Sequence, residues 1–420
     1  MRILMLSWEY PPRIVGGIAR HVEEISEALV LQGHEVHVVT ADHPGTAERE
    51  TVNGVHLHRV KNFPFDPPDF LSWVMQLQLG MVAYALEAHA VAPFDLVHAH
   101  DWLTAHAGIT LKKGLGIPLV ATIHATEVGR NRGHLVSDFS KFVNQMEWRL
   151  CFEAWRVIVC SSFMLNEVRG AFGLPDDKLD VIPNGVKYEK FAPSMTATER
   201  LQFRRHFAAD HQKLVFFVGR MTPEKGAQVL LEAVPKVLAE YGEARFVIVG
   251  KGGFLADLKR RANELGVAPY VNFTGFVSDA DLLKLYQVID VAVFPSLYEP
   301  FGIVALEGMA ARVPVVVSDT GGLGSIVEHT KSGITTFAGN QDSLGWGILE
   351  VLKNQEYAGM LAANGRKRVE QVFNWPAIAK STGAVYGRVL KESGGAQAAP
   401  RTDKAEKTLE VGAVVSQARH

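Results

Sequence analysis

Cysteine is scarce: Cys151 and Cys160 are the whole complement of a 420-residue chain. Two thiols cannot form a disulfide framework, and their spacing is not a zinc pattern. Two buried, inert thiols in a reducing cytoplasm are therefore expected. An excess of one charge is also missing, because 43 Lys and Arg stand against 45 Asp and Glu. That balance gives no basic field for nucleic acid or an anionic membrane, so neither is an expected partner. Long apolar runs are absent too. The nearest candidate, 70–91, is interrupted by Gln76, Gln78, Glu87 and His89. It never supplies the ~18 clean apolar residues of a membrane span and reads as a buried or interfacial amphipathic helix. Met1-Arg2 runs straight into the strand-like I-L-M-L, with no signal-peptide pattern.

Several catalytic motifs are missing as well. No G-x-x-x-x-G-K-[ST] occurs, which argues against P-loop ATP hydrolysis. No G-x-G-x-x-G follows the first strand, which disfavours a nicotinamide dehydrogenase, and no G-x-S-x-G elbow is present. No D-x-D pair closes a strand to hold a metal–diphosphate, so chemistry with neither metal nor cofactor fits.

What is present is the composition of a globular protein, 47% hydrophobic and 21% charged. The length exceeds one ordinary core and points to two domains. Strand-like and helix-like stretches alternate from the start. A strand at 2–6 is followed by a Gly/Pro-rich loop at 10–17, a helix at about 19–32 with Val22, Ile25, Ala28 and Leu29 on one face, and a strand at 35–40. Short apolar runs at 96–99, 119–123 and 157–160 continue this rhythm of a parallel sheet wrapped by helices.

After V-I-P-N-G a polar segment intervenes, and the rhythm restarts with strands at 214–218, 245–249, 271–274, 291–294 and 313–318. The expected organisation is a doubly wound domain at 1–190, a second at 191–374, a helix at 375–392 crossing back to the first, and a mobile tail at 393–420. In two facing sheets of this kind, ligands sit beyond the carboxyl ends of the strands.

The chemistry-bearing residues fall in those loops. G-R-M-T-P-E-K-G follows the strand at 214–218 and carries Arg220 and Lys225. A guanidinium and an ammonium there supply the charge that a diphosphate needs; on a bare turn they would be two solvated cations. Y-E-P-F-G follows the strand at 291–294, with Glu299 in it and Glu307 eight positions on. A helix starting near Gly302 would aim free N–H groups into the cleft, and the carboxylates suit vicinal hydroxyls of a sugar or ribose. Two glutamates on a helix face are the plainer alternative.

In the first half, Gly16 and Gly17 precede a helix. They are either a tight turn or a point of close backbone approach to a ligand. H-A-H-D-W carries His98, His100 and Asp101, and T-I-H ends in His124. H-x-H could begin a metal site, but no third ligand is evident from spacing, so polar contacts to a sugar are preferred.

The pair F-V-G-R-M-T-P-E-K-G and P-S-L-Y-E-P-F-G-I-V-A-L-E resembles the retaining glycosyltransferases of family 4 (group 1), which are related to bacterial and archaeal glycogen synthases. The resemblance covers the chain to about residue 391. It implies the GT-B architecture: two Rossmann-like doubly wound α/β domains facing across a cleft. It also implies a nucleotide-sugar donor and a carbohydrate acceptor. Carried over, Arg220 and Lys225 bind the donor diphosphate, Glu299 contacts the transferred sugar and Glu307 the ribose. Phe301, Gly302 and Ile303 touch sugar or phosphate through their backbone.

The glycine loop and the two histidine motifs resemble glycogen synthase segments, which places Asp101 and His124 at the sugar. Arg13 stands where those enzymes usually have lysine, and their extended loops are missing. Base specificity is expected near Gly275, Phe276 and Val277. The resemblance favours ADP- or UDP-glucose and an α-glucan acceptor. A transferase for a lipid-linked or exported polysaccharide or small glycoside, an NDP-sugar 2-epimerase, and a non-catalytic sugar-nucleotide binder stay open.

Overall fold

Runs such as Ile3-Leu4-Met5-Leu6 and Val291–Phe294 have no polar face, and such strands are stable only in a sheet covered on both sides. In the computed structural model, which describes residues 1–61 and 66–397, the chain builds two such sheets. The first runs in the order Arg49–Val52, Val55–Val60, Glu35–Ala41, Arg2–Leu6, Leu96–His100, Leu119–Ile123, Arg156–Val159 and Leu179–Val181. Only the hairpin between Arg49–Val52 and Val55–Val60 is antiparallel. The second sheet is parallel throughout, in the order Val271–Gly275, Ala244–Val249, Lys213–Val218, Val291–Phe294, Val315–Ser318 and Ile334–Thr336.

Strand order reverses beside the first strand of each sheet. Arg2–Leu6 lies between Glu35–Ala41 and Leu96–His100, and Lys213–Val218 lies between Ala244–Val249 and Val291–Phe294. At a reversal the following helices depart to opposite faces, which opens a crevice at the carboxyl ends. Both crevices are where the candidate site residues fall.

The last helix, Trp375–Gln397, leaves the second sheet and packs on the first domain. Its Ile378, Val385, Tyr386 and Val389 join Val22, Ile25 and Leu29 of helix Gly17–Leu31 in one buried cluster. Tyr386 Oη lies 2.7 Å from His98 Nδ1, and the Trp375 indole donates to the Glu24 carboxylate. The helix runs past the expected end at 392, so the expected tail begins inside it; residues 398–420 lie outside the described residues.

The domains also touch directly around the cleft. Ser161 Oγ donates to Pro300 O at 2.8 Å, Tyr298 Oη donates to Glu167 at 2.8 Å, and Arg20 pairs with Asp279. The helix expected at 70–91 is present as Phe70–Val91, burying Val74, Leu77, Met81 and Ala85. Among the described residues no helix is long and apolar enough to cross a membrane. Cys151 and Cys160 are buried and unpaired.

Candidate functional site

The loop after Lys213–Val218 is drawn tightly against the next strand. Gly226 has φ +74°, and a Cβ there would meet Pro295 O at 1.8 Å, so only glycine lets the turn pack this closely. The turn delivers Lys225 to Glu299: Nζ lies 2.7 Å from Oε2, and Ser296 Oγ donates to the same oxygen at 3.1 Å. Glu299 is itself buried. Arg220 is half exposed and only loosely paired, with Nη2 3.8 Å from Glu224. Its charge is therefore available to an anion in the gap.

Past Glu299, Gly302 caps helix Ile303–Ala310 at φ +111° without any side-chain cap, leaving the first N–H groups of the helix open. Glu307 lies on the second turn of that helix, half-buried, and accepts from Tyr286 Oη at 3.2 Å. Burial pushes its carboxyl up to about 7, against the opposing pull of Arg20 from the other domain.

The first domain presents its own loop. Glu9 is buried and accepts the N–H groups of Val15 at 2.6 Å and Gly16 at 2.9 Å, which fixes the glycine loop. A Cβ on Gly17 would lie 3.0 Å from Ile303 Cδ1, so the two helix starts approach across the gap. Burial raises the Glu9 carboxyl; the two N–H groups lower it, Asp101 raises it and Arg220 lowers it. Groups from both domains thus converge on one space.

Asp101 has φ +57° and accepts the backbone N–H of His124 at 2.7 Å. Burial pushes Asp101 up to about 6, held back by that bond and by Arg130. The His124 ring meets His100 Nδ1 at 3.1 Å through Nε2, and burial drives it down to about 3, so it is neutral.

A family model described as Glycosyltransferase Family 4 matches residues 15–190, and one described as Glycosyl transferases group 1 matches residues 199–368. An uncharacterized glycosyltransferase of Methanocaldococcus jannaschii is 42% identical over 395 residues, 94% of this chain and 100% of its own. The chain belongs to glycosyltransferase family 4. A glycogen synthase of Mycobacterium tuberculosis is 32% identical across 97% of this chain and 99% of its own. Sucrose-phosphate synthase from Thermosynechococcus elongatus matches with a TM-score of 0.78 at 25% identity, over 93% of this chain and 99% of that one. The two facing parallel-sheet domains are the GT-B architecture that the resemblance implied.

In this family 4 chain, Arg220, Lys225, Glu299, Gly302 and Ile303 gather on the second-domain wall, facing Gly16, Gly17, Asp101 and His124. Phe301 is buried against Phe373, so its side chain serves the core. Gly275, Phe276 and Val277 lie at the end of the outermost strand, with Lys251 Nζ 5.0 Å above the Phe276 ring. They share the sheet edge with Lys225 but stand two strands away from it.

The sequence passed over several partners. Gly321, at φ +58°, and Gly322 lie under Glu299: a Cβ on Gly321 would fall 1.9 Å from Glu299 O, and Gly322 N donates to that oxygen at 2.8 Å. A T-G-G after a strand was the available signal. Glu147 is buried below Arg130 and accepts the N–H of Glu127 at 2.9 Å; burial pushes it up to about 8. Its only mark in the sequence was a glutamate on the apolar face of a helix. The H-x-H motif also divides in an unforeseen way. His98 turns to Tyr386 Oη and Thr122 Oγ1, both at 2.7 Å, whereas His100 meets His124 and His21. A third imidazole does exist, then. It comes from helix Gly17–Leu31, where local spacing could not reveal it.

Proposed function

We propose that the chain is a retaining, metal-independent transferase that moves glucose from ADP- or UDP-glucose to an α-glucan. The Lys225–Glu299 contact beside an uncapped helix start carries this reading. In the free protein the carboxylate neutralises the ammonium. Donor binding exchanges partners: Lys225 turns to the diphosphate, and Glu299 is released to hydroxyls of the sugar. Arg220 and the N–H groups at the start of helix Ile303–Ala310 add to the anion site. Glu307 takes the ribose. Asp101, through its bond to the His124 backbone, sets the ring that orients the sugar.

The step follows from these roles. The bond between C1 and the phosphate oxygen breaks first and leaves an oxocarbenium-like centre. The acceptor oxygen bonds to C1 on the same face, and its proton passes to the departing phosphate. The protein contributes mostly charge complementarity to that departing group. The 32% identity to a glycogen synthase supports the α-glucan acceptor.

A screen of ADP-, UDP- and GDP-sugars with glycogen or maltooligosaccharide tests the proposal, reading acceptor-dependent nucleotide release and the anomeric configuration of the product by NMR. An α-linked glucan from ADP- or UDP-glucose supports it. A β-linked product, or release that ignores the glucan, overturns it.

A further inference from the structure

Three imidazoles from three elements meet behind the sugar side of the cleft. His21 comes from helix Gly17–Leu31, His100 from the end of strand Leu96–His100, and His124 from the loop after Leu119–Ile123. Each offers a nitrogen, and these nitrogens lie within 4.8 Å of one another. The His21 and His124 ring centroids are 4.7 Å apart.

Their hydrogen bonding is incomplete. His21 Nδ1 lies 2.8 Å from Asn184 Oδ1, an atom that only accepts. Nδ1 therefore carries the proton, and Nε2 keeps a free lone pair. His100 Nδ1 and His124 Nε2 share one bond at 3.1 Å. His100 Nε2 is buried with no hydrogen-bond partner among the described residues. Buried polar nitrogens are normally satisfied, so a cluster with a free His21 lone pair and a partnerless His100 nitrogen calls for another occupant. Burial also pushes all three rings down, which keeps them neutral and able to donate lone pairs.

We propose that His21, His100 and His124 form a zinc site, with its fourth position open on the side of His124. Imidazole nitrogens suit zinc rather than calcium or magnesium, and three protein ligands with one open position are a common zinc arrangement. Asn184 supplies the outer contact that such ligands need, fixing the His21 ring through its second nitrogen. Zn–N bonds of about 2.1 Å in a tetrahedron require nitrogens about 3.4 Å apart; His100 Nδ1 and His124 Nε2 already lie 3.1 Å apart, so any closing is confined to the wider pairs within the 4.8 Å cluster. Binding through the shared nitrogens breaks the hydrogen bond between His100 and His124, and its proton moves to the other nitrogen of the donor ring, so both rings stay neutral. Because His124 lies in the proposed sugar pocket, zinc there excludes the sugar and inhibits transfer. That consequence rests on the proposed function; the binding itself does not.

The test uses the full chain freed of metal by EDTA. Zinc titration by calorimetry and the visible spectrum of the cobalt(II) form are read for wild type, His21→Gln, His100→Gln, Asn184→Leu and, as a control, His56→Gln. His56 belongs to a separate, more exposed group with Glu35 and His37. The expected result is one zinc per chain and intense tetrahedral cobalt bands. Affinity should fall more than about tenfold in His21→Gln and in His100→Gln, fall also in Asn184→Leu, and hold in His56→Gln. Two independent ligand variants, each compared by metal-free thermal unfolding, keep a folding defect in one from masking the answer.

No zinc binding, binding that survives both ligand variants, or loss confined to His56→Gln overturns the site. In transfer assays zinc should inhibit competitively with the donor sugar, and EDTA should reverse it. Binding with non-competitive inhibition overturns the sugar-pocket placement alone. Binding in a chain that transfers nothing leaves the zinc site standing and removes the proposed reaction.

Discussion

Lys225 and Glu299 lie 74 residues apart in the chain, yet Nζ and Oε2 are 2.7 Å apart across the strand-order reversal of the second sheet. Neither residue is placed by its own element alone. The turn that ends in Gly226 sets one, and the loop clamped by Gly321 and Gly322 sets the other.

Removing either member should slow transfer. Lys225→Ala removes a preorganised charge aimed at developing phosphate charge, and Glu299→Ala removes the carboxylate that grips the sugar; each should lower kcat by about 10²–10³-fold. Because the two exchange partners when donor binds, their effects are coupled. The double variant should lose far less than the product of the two single losses. Steady-state kinetics of all four proteins checks this; full additivity would falsify the exchange.

The clamp under Glu299 can be probed without touching a charged group. Gly321→Ala places a Cβ 1.9 Å from Glu299 O in a backbone region, φ +58°, that side chains avoid. The backbone must shift, costing about 1–3 kcal/mol and displacing Glu299. Both Tm and kcat should fall. Gly253→Ala is the comparison, because nothing lies within 4 Å of its added carbon and its φ is unrestricted. It should leave both near wild type.

These positions show what the sequence made legible. The strands at 2–6, 119–123 and 291–294 stood out because all their residues but Arg2 and Thr122 are apolar, as a buried parallel strand requires. The hairpin Arg49–Val52 and Val55–Val60 was invisible for the converse reason: R-E-T-V carries the polar residues that an edge tolerates, and V-H-L-H-R-V, inside that edge, buries His58 and Arg59 where a buried strand would show an apolar run. Arg220, Lys225 and Glu299 were readable because each follows a strand within one local motif. His21 was not, because it sits on a helix and joins His100 and His124 only through tertiary packing. Gly321 was passed over because a turn glycine and a glycine supporting a distant backbone look alike in one dimension.

Stability should change with pH in two opposed ways. His124 is held down at about 3 in the native state, below the usual 6.5, so the unfolded chain binds a proton that the native chain refuses. Its contribution is present at neutral pH and is lost as pH falls from 6.5 toward 3, by up to a few kcal/mol. Asp101, raised to about 6, and Glu307, raised to about 7, run the other way. Their contribution is present below about pH 4 and is lost as pH rises through 6 and 7. Denaturant unfolding across pH 3–8 should therefore show a shallower acid loss for His124→Asn and a smaller decline toward pH 7 for Asp101→Asn. Unchanged slopes in both variants would contradict the assigned burial.

The crossing helix offers a graded test of which domain it stabilises. Tyr386→Phe removes only the hydroxyl facing His98 Nδ1 at 2.7 Å. It leaves a buried nitrogen without a partner, at about 1–3 kcal/mol. Trp375→Ala removes far more. That indole donates to the Glu24 carboxylate, and its ring would lie 2.9 Å from a Cβ built on Gly185. Deleting a buried Trp costs about 3–5 kcal/mol through the cavity it leaves. Both losses fall on the first domain, because His98, Glu24 and Gly185 all belong to it. Amide hydrogen exchange should thus show deprotection in strand Leu96–His100 and helix Gly17–Leu31, stronger for Trp375→Ala, while strand Lys213–Val218 keeps its protection. Deprotection centred on the second sheet instead would mean that the helix belongs energetically to the domain it leaves rather than the one it reaches.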